Sequence, residues 1–250
     1  MSKPAPNSTT FATGGCIPGS VASRRRYSDL ATVMAVTSVV ALFAFFPSVR
    51  EVYAGLDHSH GIAMSFVKFA VLATFGEMLT LRLSEGVYVK PGFGLLPKAF
   101  VWGLLGIAIK AVFVVFAAGV PALLKYLAFD LTPGTAGITA DRVIGAFSIS
   151  LVMNLVFSPV LMVVHKMTDL HIAATNGAVS GFFTPMDCAG ILKKINWDVM
   201  WHFVFKKTIP FFWLPAHTIT FLLPAEMRIG FAALLGVALG GILAIAGRKK

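Results

Sequence analysis

Four polar side chains interrupt stretches of sequence that are otherwise apolar: Lys68, Lys110, Asn154 and Lys206. An ionisable group at membrane depth is costly, so it normally faces a bundle interior, a partner charge or a water-filled path. Counted from the ends of their apolar stretches at about 1.5 Å per residue, Lys68 and Lys110 lie roughly 18 and 17 Å deep, and Asn154 and Lys206 roughly 15 and 11 Å. Two kinds of chemistry fit this pattern. Fixed positive charge along a low-dielectric passage lowers the barrier for anions. The same lysines can instead snorkel or form structural ion pairs that keep a bundle in register.

Helical spacing orients some of these groups. Lys110 is four residues after Gly106 and seven after Gly103, on a face where helices can approach closely. Glu77 shares a small face with Ala70, Ala73 and Thr74. Lys68, nine residues from Glu77, falls on the opposite side of the same helix, so these two cannot pair. A Glu77–Lys110 bridge between neighbouring helices is the expected partnership. His165 and Asp169 also share a face, with Lys166 and His171 beside them. Such a set resembles a metal or acid/base cluster, although a solvated helix end is the commoner reading. His58 and His60, near Asp57, read the same way. No Ser/His/Asp arrangement, phosphate-binding glycine loop or HExxH motif is present, so no enzyme is expected. Cys16 and Cys188 have neither disulfide-framework nor metal-ligand spacing, and no metal is expected.

The elements that must position these groups are apolar helices. The 250 residues are 57% hydrophobic and only 13% charged, about half the charge of a soluble domain, which excludes a water-soluble enzyme. Spanning a hydrocarbon core takes roughly 20 mostly apolar residues. Leu30–Phe46, Gly61–Thr80, Ala99–Leu124, Val143–Val164, Val199–Leu223 and Ala225–Ala246 qualify. The expected fold is an all-α polytopic bundle of about six spans, or four or five if the last pair, interrupted by Pro210, Pro215 and Pro224, is broken or re-entrant. Residues 1–28, rich in Pro and Gly, read as a flexible tail, 29–247 as one transmembrane domain and 248–250 as a basic tail. The segment Gly177–Leu192 reads as an interfacial helix or an ordered loop.

With the N-terminus inside, the inner segments hold Lys3, Arg24, Arg25, Arg26, Arg82, Lys90, Lys98, Lys166, Lys193, Lys194, Arg248, Lys249 and Lys250, against Arg50, Lys125, Arg142 and Arg228 outside. Both termini are therefore expected in the cytoplasm or its equivalent. The net charge of +10 is spread between apolar segments rather than gathered on a stacking face, so nucleic acid is not an expected partner. Gly236 and Gly240 have small-xxx-small spacing, for packing within the chain or for a homo-oligomer face.

The segment from Trp213 to Arg228 resembles the signature of the Mpv-seventeen and peroxisomal twenty-two-kilodalton membrane protein family. That signature runs Trp-Pro-x-x-Gln-x-x-Asn-Phe-x-x-x-Pro-x-x-x-Arg before a final helix. Trp213, Pro215, Phe221, Pro224 and Arg228 carry the match, with one residue inserted before Pro215 and one missing before Pro224; Thr218 and Thr220 stand where the family has Gln and Asn. Met153-Asn154 through Pro159 is similar to the family's Asp-Gln-x-x-x-x-Pro, and Pro97 to Trp102 keeps the spacing of its Gly-Pro-x-x-His-x-Trp, with Leu96 and Phe100 in place of Gly and His. The resemblance spans roughly Phe66 to Ala246. It implies a small multi-pass protein of bacterial inner, mitochondrial inner or peroxisomal membranes, without a cofactor, acting as a pore or metabolite conduit. The bilayer and a small, anionic solute are then the expected partners. Lys68, Glu77, Lys110, Asn154, Lys206, His217 and Arg228 are the candidate lining of its path.

Overall fold

The computed structural model describes residues 18–129, 131 and 137–247, and these are helical without a strand. In chain order the helices are α1 (Pro18–Phe45), α2 (Pro47–Ser59), α3 (Gly61–Glu85), α4 (Leu95–Tyr126) and α5 (Ala140–Ala174). A short 3₁₀ helix (Val179–Phe183), α6 (Cys188–Lys194) and α7 (Trp197–Val199) follow, then a π-helix (Met200–Trp213), α8 (Leu214–Leu222) and α9 (Ala225–Gly247). Among the described residues five helices are long and apolar enough to cross a membrane: α1 over Arg25–Phe45, α3, α4, α5, and α9 over Ala225–Ile245. The remaining expected stretch, Val199–Leu223, is divided between the π-helix and α8, neither of which reaches spanning length by itself. Pro210 lies inside the π-helix and Pro215 in the first turn of α8. A proline removes a backbone donor and clashes with the preceding turn, and widened π geometry is one way a helix accommodates such a disturbance.

The chain separates into two compact units, residues 1–50 and 51–250. Helix α1 starts at Pro18, so residues 18–28, expected in the flexible tail, are helical; a proline is well suited to a first helical turn because its missing N–H would have no partner there. Residues 1–17 and the basic 248–250 tail lie outside the described residues. The Gly177–Leu192 segment is neither one helix nor only a loop, since it holds the 3₁₀ helix and the start of α6.

In the second unit α3 packs on α4 and α9, α5 packs on α4 and α8, and α8 also meets α9. Phe69, Ala73, Ile109, Phe113, Met153, Phe221, Ala232 and Ala233 form the apolar centre. Within and beside this apolar centre some polar groups are buried, while many large apolar side chains are exposed. Asn154 is 2% exposed and Ser150 0%, while Leu155 and Val156, next to Asn154 in sequence, are 67% and 60% exposed. Polar groups turned inward and apolar ones outward are compatible with a bilayer environment.

Two glycines make this geometry reachable at the end where α3 hands over to α4. Gly94, before α4, and Gly177, after α5, have φ of 71° and 67°, the left-handed region that only glycine enters freely. A Cβ on Gly177 would collide with Gly94 N, so the two backbones touch and lock the start of α4 to the end of α5. Along α4, a Cβ on Gly106 would lie 2.6 Å from Phe69 Cβ and 2.7 Å from Ser65 O. The interface of α3 and α9 is similarly close: Gly240 meets Thr80 and Gly76 of α3, whereas a Cβ on Gly236 would meet nothing within 4 Å. Gly240 thus serves packing inside the chain.

Gly106→Ala should destabilise the protein by about 1–3 kcal/mol through overpacking, and Gly236→Ala should stay within about 0.5 kcal/mol of the parent. Thermal unfolding of the detergent-solubilised proteins reads both, and equal midpoints would contradict this packing.

Candidate functional site

Because α3 and α4 run antiparallel and the Gly94–Gly177 contact sets α5 beside them, three side chains one or two turns from that end converge. Lys98 Nζ lies 2.6 Å from Glu77 Oε2 and 2.5 Å from Asp169 Oδ1, joining α3, α4 and α5. Trp102 Nε1 donates to Glu77 Oε1 at 2.7 Å, and His165 Nε2 stands 3.4 Å from the same oxygen. The His165 ring leans on Trp102 at 4.4 Å between centroids. One ligand atom each from Glu77, His165 and Asp169 lie within 4.8 Å of one another, a spacing that a metal ion can bridge. Lys98 already supplies a positive charge to both carboxylates at hydrogen-bond distance, so its ammonium holds the place between them that a bridging cation would take.

This cluster corrects two sequence expectations. Glu77 pairs with Lys98, not with Lys110, which lies twelve residues and therefore about 18 Å further along α4. His165 and Asp169 are not a solvated helix end: their side chains are 22% and 26% exposed and both face Glu77 and Lys98. Lys98 was read as an inner-loop residue in the sequence. Counting across an antiparallel hairpin would have found it, because a residue eight before the end of α3 faces the second turn of α4.

A second polar network lies between α5 and α8. Asn154 Nδ2 donates to Ser150 O at 2.8 Å and approaches His217 Nδ1 at 3.2 Å, and Ser158 Oγ donates to Asn154 Oδ1 at 2.8 Å. Ser150 Oγ donates to Leu214 O at 2.7 Å, satisfying a carbonyl near Pro215. His217 Nδ1 also lies 3.4 Å from Asn154 Oδ1, so either amide atom is within reach of the imidazole. Trp213 stacks on His217 at 5.2 Å and 23°. Its Nε1 is buried without a hydrogen-bond partner.

Between these networks is a partly open cavity of about 220 Å³, lined by α3, α4, α5, α9 and the Trp213–His217 segment. Glu77 and His165 touch it at one side, Trp213, His217 and Ser158 at the other, and Phe69, Ile109, Phe113, Phe157, Ala233 and Leu239 make much of the apolar wall. Gly236 also lines it: its backbone carbonyl carbon lies close to Gly76 of α3, while its Cβ direction is open.

The remaining candidates are not brought together in this cavity. Lys68 is buried and paired with Asp57 of α2 at 2.5 Å, with its ammonium 5.1 Å from the Tyr53 ring centre. Lys206 is exposed on the π-helix, over Trp201 at 5.5 Å, and does not enter the bundle interior; π geometry shifts each successive side chain from the 100° step that the sequence count assumed. Lys110 and Arg228, with Phe113, line a separate pocket of about 320 Å³. Arg228 also lines a pocket of about 540 Å³ together with Arg142, Lys125 and Asp141. Phe113 belongs to both the Lys110–Arg228 pocket and the central cavity.

The motif residues have local roles. Pro224 ends α8, and its carbonyls are taken by two arginines: Arg228 donates to Leu223 O at 3.0 Å and Phe221 O at 3.2 Å, and Arg142 to Leu222 O at 3.4 Å. Helix-terminal carbonyls lack partners and favour cations. Pro97 is buried in the first turn of α4, where a missing N–H costs nothing, and Pro159 lies inside α5. The chain matches no known protein family, no curated protein and no solved structure.

Lys98→Met strands two half-buried carboxylates and should cost about 3 kcal/mol of stability, whereas the exposed Lys206→Met should change it by less than about 0.5 kcal/mol. Denaturant or thermal unfolding in the same detergent compares the two; a mild Lys98→Met would remove the cluster's structural role.

Proposed function

We propose that this chain is a multi-pass membrane protein that conducts small solutes, anionic ones in preference, as members of the Mpv-seventeen and peroxisomal twenty-two-kilodalton family are thought to do. In this reading residues 199–223 make a proline-interrupted sixth pass, and both termini lie on the cytoplasmic side. The observation that carries it is three neighbouring spaces whose walls share residues. Arg228 is common to the two cation-lined pockets, and Phe113 is common to the smaller of them and the central cavity. Lys110, Lys125, Arg142 and Arg228 outnumber Asp141 around that mouth, and such a basin concentrates anions. The anion-attracting role therefore moves away from Lys68 and Lys206, one neutralised and one outside, to these four residues. Phe113 and Phe221, with ring centres 5.0 Å apart, form the aromatic barrier between basin and cavity.

A second reading, a non-transporting structural membrane protein, is favoured by the pairing of Lys68 with Asp57 and of Lys98 with Glu77 and Asp169. The two part on flux. In liposomes holding the purified protein, small organic anions should pass faster than cations of equal size. Arg228→Gln with Lys110→Ala should reduce that preference severalfold, and Phe113→Ala should raise the total flux. Absence of flux above empty liposomes from folded, inserted protein would favour the structural reading.

A further inference from the structure

We infer that the central cavity is a binding site for a small, mainly apolar molecule carrying one hydrogen-bond acceptor, held against Trp213 Nε1. This deepens the conduit reading by naming the class of molecule that rests midway, and it depends on that reading only for the route in.

Three observations converge. The first is size and lining: about 220 Å³ between Phe69, Phe113, Phe157 and Leu239. An engineered apolar cavity of roughly 150 Å³ stays dry and takes benzene, so this one accommodates a body of about ten heavy atoms by the same scale. The second is the low wall made by Ala232, Ala233 and Gly236, where Gly236 faces open space and Ala233 is fully buried. The third is an orphan. Trp102 Nε1 is bonded to Glu77 and Trp197 Nε1 to Leu192 O, but Trp213 Nε1 is buried and has no partner. An indole nitrogen only donates, so what completes it must bring an acceptor. Stacking on His217 holds the ring, and His217 is itself held by Asn154.

Charge narrows the class. The charged cluster at one side of the cavity has both its carboxylates paired with Lys98, and the cavity lining contains no lysine or arginine. A single neutral donor in an apolar surround holds a carbonyl, ester, ether or protonated acid better than a full charge. A weak organic acid that reaches the basin as its anion would therefore rest here in its protonated form, with its apolar body against the aromatic wall.

The test uses full-length protein in detergent and saturable binding by equilibrium dialysis, with naphthalene and methyl naphthyl ketone as probes. The parent should bind the ketone about tenfold more tightly than the hydrocarbon, the scale of one hydrogen bond in an apolar site. Trp213→Phe should bring the two affinities together while leaving naphthalene unchanged. Gly236→Leu, which places its side chain in the open space, should abolish saturable binding of both. Equal affinities in the parent, a preference that survives Trp213→Phe, or binding that survives Gly236→Leu would each overturn the assignment. Binding as described without liposome flux would sink the conduit alone, and flux without this binding would sink the site alone.

Discussion

The ammonium of Lys98 sits between Glu77 of α3 and Asp169 of α5, and the geometry of the second unit follows from holding those three helices at one level. In a low-dielectric surround neither carboxylate tolerates ionisation without a partner, so the cluster resists any slip of one helix past another. The backbone contact of Gly94 with Gly177 acts beside it and needs no charge. Together they align α3, α4 and α5, and the close α3–α9 contact at Gly76 and Gly240 adds the fourth helix.

What that alignment leaves unfilled is as informative as what it joins. Helix α9 packs on α3, and α5 packs on α4 and α8, so residues from both α5 and α9 line a shared space. Small residues on α9 cannot fill it. The polar networks at its two sides differ in kind: one is ionic, two carboxylates sharing one ammonium, the other a hydrogen-bonded chain of Ser150, Asn154, Ser158 and His217 with an indole stacked at its end. A low dielectric makes the first strong and any unpaired member of the second costly.

The break at Pro224 illustrates how a local rule becomes a tertiary feature. Ending α8 there frees its last carbonyls, and Arg228 and Arg142 come from two other helices to take them. Both arginines are thereby fixed at the rim of the same pocket with Lys125. A proline in the sequence thus accounts for the placement of positive charge, although the sequence alone listed only Arg228 among the lining residues and missed Arg142.

Much of the fold was legible in the residues because it depends on local composition. The length and apolarity of α3, α4, α5 and α9, the inward turn of Glu77 on its small face, and the separation of Lys68 from Glu77 follow from helical periodicity and the cost of burying charge. Partner choice was not legible. Glu77 takes Lys98 instead of Lys110, and Lys206 turns outward, because those outcomes depend on the register between antiparallel helices and on the π geometry around Pro210. The sequence determined which side chains cannot face lipid; only the tertiary structure decided what each meets instead, since an ion pair or a cavity is set by distances between segments far apart in the chain.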